Sequence, residues 1–192
     1  MEILGLIVLI FGSVAVCVAL LLRQQAFRNR RGAAMREWGA THGLDYRQES
    51  SPAALPFGQH PFFRASRWAT DVWHVAYGPD LWVADTRRAF GDSESASIER
   101  QTVMVCRVPA REGGVFRGGA DDVLGATGDG AVPEQGLDRL VVEEVAGWLL
   151  VYEPRGFTPI EDLDTRLAQV RAMAETLRLA GAPDAGPKAP VR

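Results

Sequence analysis

The side chains of this 192-residue chain best suited to nucleophilic or metal chemistry are three histidines and two cysteines. His42 stands beside Gly43 at the end of a helical register, where a partial positive charge suits a helix C-terminus. His60 precedes Pro61 in a loop, and His74 lies on an apolar strand three residues after Asp71. On a regular strand, positions i and i+3 face opposite ways, so Asp71 and His74 make a poor metal pair. A metal site would have to gather His74, Asp85 and His60 from separate segments. With only Cys17 and Cys106, a multi-cysteine zinc or iron–sulfur centre is excluded. Cys106 sits in Val103-Met104-Val105-Cys106 and reads as a buried, inert thiol sharing a face with Met104 and Val108. Glu143 and Glu144 are neighbours on a strand, hence on opposite faces, and are not a glycosidase pair.

Motifs for phosphate and acyl chemistry are missing. There is no G-x-x-x-x-G-K-S/T, and the one lysine, Lys188, lies in the tail. Neither G-x-S-x-G nor H-E-x-x-H occurs. Gly125-x-x-Gly128-x-Gly130 lacks the strand–turn–helix setting a dinucleotide site needs. The expectation is therefore no catalytic residue, no metal and no cofactor. The competing reading is an enzyme using Asp85, Arg87, His74 and Glu143 on a sheet. Five tryptophans are available for recognition or packing. Trp38, Trp73 and Trp148 are expected in the core, while Trp68 and Trp82, beside Arg67 and Asp80, are the candidates for a binding patch.

The elements that must position these residues begin with Ile3 to Leu22, twenty residues without a charge. As a helix they span about 30 Å, the thickness of a hydrocarbon core. The run is too long for a signal-peptide core, and Met1-Glu2 is not a positive n-region. Val16 before Cys17 does not suit a lipoprotein signal. Residues 1–22 are expected to be a transmembrane anchor, with the bilayer as partner through residues 3–22. Arg23, Arg28, Arg30, Arg31 and Arg36 follow, opposed in residues 23–40 by Glu37 alone. Such a basic collar stays cytoplasmic, which puts the N-terminus outside and the remainder inside. Residues 41–192 carry 16 basic and 22 acidic groups, so the body is acidic and no nucleic-acid partner is expected.

Every seventh residue from position 5 is small: Gly5, Gly12, Ala19, Ala26, Ala33, Ala40. Such a stripe lets two helices approach closely, and Gly5, Gly12, Ala19 and Ala26 would be the membrane face of a parallel homodimer. The alternative is one helix packing on its own domain. Gly32 and Gly39 count against the dimer, since each costs about 1 kcal/mol in a helix.

Residues 23–43 continue the helical register as a basic juxtamembrane helix, ending at Gly43. Residues 44–180 read as an α+β domain. Its extended segments are expected from Leu44, over Phe62–Arg67, Asp71–Tyr77, Leu81–Arg87 and Thr102–Val108, and in a hairpin Leu137–Val145 and Trp148–Glu153 about Ala146-Gly147. Residues 109–137 hold eight glycines and few large apolar groups, the mark of a mobile insertion. A final amphipathic helix, Ile160–Leu179, presents Leu163, Leu167, Val170, Ala174 and Leu177 on one face. Residues 181–192 form a disordered tail. The sum is an antiparallel sheet of about five to six strands packed by the C-terminal helix.

The layout has a further signature. One apolar span and an arginine-rich segment lead to Arg36-Glu37-Trp38-Gly39-Ala40 and Gly43-Leu44-Asp45-Tyr46. Pro56-Phe57-Gly58, Val103 to Val108-Pro109, a hairpin Val142 to Tyr152 containing Gly147-Trp148, and a final helix follow. This order resembles a broad group of uncharacterised single-span membrane proteins of actinobacteria. The resemblance covers most of residues 1–180 and implies no activity for any residue. Together these features predict a membrane-anchored, non-catalytic cytosolic binding or scaffold domain for a protein partner. A tethered enzyme and an extracytoplasmic envelope protein are the alternatives.

Overall fold

The computed structural model describes residues 2–58, 60–64, 70–90, 97–109, 116–124, 136–154 and 156–181. Within these, the side chains of residues 2–8, 10, 61, 64, 90, 97, 116, 121 and 179–181 lie outside the description.

Helix α1 runs unbroken over Glu2–Thr41. A single face of its last four turns meets the sheet: Arg31, Gly32, Met35, Trp38 and Gly39 are buried, while Ala33, Arg36, Glu37 and Ala40 are exposed. Helical spacing of i, i+4 and i+7 puts Arg31, Met35 and Trp38 in one row. The two glycines set the distance. A Cβ at Gly32 would lie 2.7 Å from the His74 ring, and one at Gly39 would lie 3.1 Å from the Ala76 Cβ. Their helix penalty is thus offset by a backbone seated directly on the sheet. The helix stops where expected. Gly43 adopts φ +69°, Leu44 N–H donates to the Gly39 carbonyl (2.8 Å), and Gly43 N–H donates to that of Ala40 (3.2 Å). These are the paired closing bonds of a glycine-terminated helix.

The sheet has seven antiparallel strands, more than the sequence predicts: β1 (Asp45–Ser50), β2 (Asp71–Tyr77), β3 (Leu81–Phe90), β4 (Ser97–Arg107), β5 (Phe116–Gly119), β6 (Val141–Val145) and β7 (Trp148–Tyr152). Their order is β1-β2-β3-β4-β7-β6-β5. Four strands meander from one edge to the centre. The chain then crosses to the far edge and meanders back until β7 pairs with β4. Hairpin β6–β7 turns at Ala146 (φ 51°) and Gly147 (φ 82°), the left-handed pair that matches strand twist in a two-residue loop.

Two expectations change. The predicted strand Phe62–Arg67 is replaced by a short helix α2 (Pro61–Arg64). Pro61 suits a first helical position, and His60 Nδ1 accepts the Phe62 N–H (3.1 Å) as a cap would. In the Gly-rich stretch 109–137, residues 116–124 form β5 and helix α3 (Ala120–Leu124). Ala120 and Val123 are buried, so two small apolar side chains tie this segment into the core. The rest of that stretch, apart from residue 109 and residues 136–137, lies outside the described residues, as do residues 91–96 and the tail 182–192.

Both faces of the sheet are covered. On one, α1, α3 and α4 (Leu163–Gly181) enclose Met35, Val83, Met104, Leu149 and Val151. All five residues predicted on the α4 face, Leu163 to Leu177, are buried there. On the other, Leu55, Phe57, Phe62 and Phe63 pack over Val72, Val75, Val103, Val105 and Leu150. That second layer comes from a loop and one helical turn.

Candidate binding site at the helix–sheet junction

The junction of α1 with β1–β3 gathers five buried polar residues: Arg31, His74, Asp85, Thr102 and Thr158. At its centre, Arg31 Nε and Nη2 donate to the two oxygens of Asp85, at 2.5 and 2.8 Å. Nη2 also reaches Thr102 Oγ1 (2.8 Å) and the Thr158 carbonyl (2.9 Å). Thr102 donates its hydroxyl to Asp85 (2.8 Å) and accepts from Thr158 N–H (3.0 Å). The Phe157 ring lies under the guanidinium at 4.8 Å. Asp85 is fully buried and Arg31 nearly so. Every acceptor in this cluster has its donor, as a buried ion pair requires. Arg31, expected as one of five collar charges, is instead a bolt between helix and sheet.

Next to it, a bulge re-aims His74. The β2–β3 register shifts between Trp73 and Ala76, and His74 adopts φ 48°. An extra residue of this kind turns a side chain onto the neighbouring face. Asp71 pairs Arg87 and Trp73 pairs Asp85 across the ladder, so both share the α1 face; the bulge adds His74 to it. The expectation that Asp71 and His74 point apart is corrected for that reason. His74 is buried and its Nδ1 shares a 2.9 Å hydrogen bond with the Tyr46 hydroxyl. Burial pushes the His74 pKa below the ordinary histidine value against the opposing pull of Asp85. It also raises that of Tyr46. Both groups are neutral at pH 7.

Outside this pair, a cavity of about 360 Å³ opens between α1 and β1–β2. Gln25, Arg28, Asn29, Gly32 and Arg36 line the helix side; Tyr46, Gln48, Glu49 and His74 line the sheet side. Arg28 stacks on Trp73 at 4.7 Å and meets Glu49 at 3.4 Å. Arg36 stacks on Tyr46 at 4.8 Å. Trp73, predicted in the core, is half-buried here, with Arg28 and Arg87 over its ring.

The opposite face holds a second polar group. Tyr152 donates to Glu143 (2.9 Å), Arg117 approaches Glu143 at 3.3 Å, and His60 Nδ1 lies 3.8 Å from it. Burial, then the Glu143 charge, pushes the Tyr152 pKa up to about 12. Burial pushes the Cys106 thiol up to about 11, which removes it as a nucleophile. The four residues of the enzyme reading are thus divided: Asp85, Arg87 and His74 share the α1 face, and Glu143 lies across the sheet. His60 is likewise separated from His74 and Asp85. Among the described residues no group of His, Cys, Asp or Glu is placed to hold a metal.

Of the binding candidates, Trp82 is half-buried, stacked on Tyr77 (4.9 Å) and edge-on to Phe57 (5.5 Å). Trp68 lies outside the described residues. Along the small-residue stripe, Ala19, Ala26, Ala33 and Ala40 are exposed and nothing lies near Gly12; the Gly5 surroundings are outside the description. The stripe therefore points away from the face of α1 that packs on its own sheet. Sequence reading missed the junction because its parts are 54 and 71 residues apart along the chain. An aspartate interrupting the apolar run Leu81–Ala84 was the one available signal.

No family model and no curated protein matches the chain. Among solved structures it is similar to the mycobacterial trehalose monomycolate transport factor A, TtfA, at 17% identity and a TM-score of 0.43, covering 77% of this chain and 94% of that one. A likeness at this level assigns no function.

Proposed function

We propose that the chain is a membrane-anchored, non-catalytic binding domain, carried on a helix that is continuous with its own fold. The observation behind this reading is α1 itself. Leu9, Phe11, Val14, Val16, Val18, Leu20, Leu21 and Leu22 are all exposed along it, on every side of the helix. A helix that is apolar all round needs an apolar surrounding. Among the described residues no helix is long and apolar enough to cross a membrane. The anchor requires the whole uncharged run Ile3–Leu22, whose first side chains lie outside the description. Six residues beyond that run, Arg28 and then Arg31 already belong to the domain.

A binding role is supported by how the ionisable groups are used. Asp85 is committed to Arg31, Glu143 to Tyr152, and Cys106 is held protonated. The collar argues for a cytoplasmic domain. Arg31 and Arg28 have carboxylate partners in the fold, which leaves Arg23, Arg30 and Arg36 to carry the topological signal. The partner is a protein met by this cytosolic face. The exposed small-residue stripe is available for a parallel homodimer within the bilayer.

A pair of C-terminal reporters tests topology, one active only in the cytoplasm and one only outside. Cytoplasmic activity, with the protein retained in membranes after alkaline extraction, is expected. External activity would move the domain to the envelope and reverse the charge argument. Release by alkali would remove the anchor.

A further inference from the structure

We infer that the cavity between α1 and β1–β2 is a binding site for a phosphate-bearing anion, held chiefly by Arg28 and Arg36. The lining follows from two periodicities. Gln25, Arg28/Asn29, Gly32 and Arg36 recur at helical spacing, while Tyr46 and Gln48 recur at strand spacing, so six side chains converge on one concavity. Its chemistry is donor-rich: two guanidinium groups, three amides, and the one proton that the hydrogen-bonded Tyr46–His74 pair leaves free. The one carboxylate is Glu49, at the exposed rim. Both positive charges come from the basic segment 23–40, and with Glu49 as the one opposing carboxylate they leave the concavity net positive beside an acidic body.

The arginines are held for the purpose. Each guanidinium lies on an aromatic ring, Arg28 on Trp73 and Arg36 on Tyr46, which fixes its plane and leaves its edge N–H groups available. Among the described residues Arg36 makes no ion pair. Arg28 has one, to Glu49 at 3.4 Å, a long and exposed contact of the kind that contributes little. A phosphate can replace it with shorter, charge-assisted bonds. Size also agrees: about 360 Å³ admits a phosphate with the group that carries it. Position suggests where such a ligand comes from. Gln25 and Arg28 follow Leu22 by three and six residues, about 5 and 9 Å along a helix. If the hydrocarbon core ends at Leu22, this end of the cavity lies at or just beyond the headgroup layer, while Arg36, fourteen residues on, stands about 21 Å out. A lipid headgroup and a soluble phosphate present the same chemistry, and the experiment separates them.

This inference adds an anionic ligand to the binding domain proposed above, beside its protein partner, and the cavity exists whether or not α1 crosses a bilayer. The full chain is therefore measured twice by thermal unfolding. In neutral detergent, inorganic phosphate is compared with chloride at matched ionic strength. In phosphatidylcholine nanodiscs, discs with and without added phosphatidylinositol are compared. Expected is a rise in melting temperature in the second arm, or in both if soluble phosphates also bind. Arg36→Ala, at an exposed position, should weaken the apparent affinity about tenfold or more, the worth of a charged hydrogen bond. Glu49→Gln should strengthen it several-fold. Arg23→Ala with Arg30→Ala, collar residues outside the cavity, should leave it unchanged. No rise in either arm would overturn the site. A rise lost in the Arg23/Arg30 variant but kept in Arg36→Ala would overturn it too, in favour of diffuse attraction to the collar. If Arg36→Ala melts lower in chloride alone, Glu49→Gln decides: an undiminished but unenhanced shift counts against the site. Failure of the chain to enter nanodiscs would overturn the anchor and leave the detergent arm to judge the cavity.

Discussion

Arg31 and Asp85 concentrate the energetics of the helix–sheet junction in one pair. Both are buried, so removing one charge strands the other. Asp85→Ala should cost about 3–5 kcal/mol in denaturant unfolding, and Arg31→Met with Asp85→Leu should recover part of that loss. Gly32 is the second decisive residue. Gly32→Ala places a methyl 2.7 Å from the His74 ring and should destabilise by about 1–3 kcal/mol, against a gain expected for glycine to alanine in a free helix. His60 and His74 make a prediction with a sign. Burial lowers both pKa values from 6.5, while Glu143 and Asp85 respectively oppose it. Below pH about 6.5 the unfolded chain therefore takes up protons before the folded one. Stability is complete above that pH and falls as the solution is acidified towards the folded-state values. Melting curves from pH 7.5 to 5.5 should show the decline, and His60→Gln with His74→Gln should flatten it.

Individual elements differ in how much of their shape is local. Helix α4 and hairpin β6–β7 follow from periodicity and turn chemistry. Even so, Ala146 holds a left-handed φ of 51° without being glycine or asparagine. Ala146→Asn should raise stability by about 1 kcal/mol or less, read as a higher denaturant midpoint with an unchanged slope. β5 and α2 are different. Phe116–Gly119 contains two glycines and has little strand propensity. It pairs because β6 offers an edge, with Arg117 opposite Glu143. Phe62 and Phe63 would suit a strand, yet they turn as a helix because Pro61 and the His60 ring start one.

For the molecule as a whole, α1 is both a part of the domain and the route out of it. Met35 and Trp38 lie in the main core, and Trp38 Nε1 donates to Asp164 at the start of α4 (2.8 Å). His42 Nε2 reaches the same carboxylate at 3.0 Å. A chain shortened to begin at Arg23 should keep its cooperative unfolding. One shortened to begin at Leu44 loses Arg31, Met35 and Trp38 together, leaves Asp85 unpaired and should not fold. Circular dichroism and a single cooperative melt distinguish the two. Rigid continuity also bears on function, since a helix without a break gives the domain a set orientation relative to whatever holds its first 22 residues.

The local pattern alone determined α1, its stop at Gly43, the central strands, the terminal hairpin and the buried stripe of α4. Each depends on neighbours within a few residues, which periodicity and turn types record. It also determined that Cys106 is a packed thiol, because its strand is apolar on both sides. Tertiary structure decided the rest. Whether Arg31 is a membrane-flanking charge or half of a buried pair depends on Asp85, 54 residues away. Whether His74 faces Asp71 or turns from it depends on one residue of bulge, which no alternation pattern carries. The cavity exists only because two glycines bring α1 down onto β1 and β2, setting arginines of one element against aromatic rings of two others. Such groupings follow from distances across the fold, which spacing along the chain does not contain.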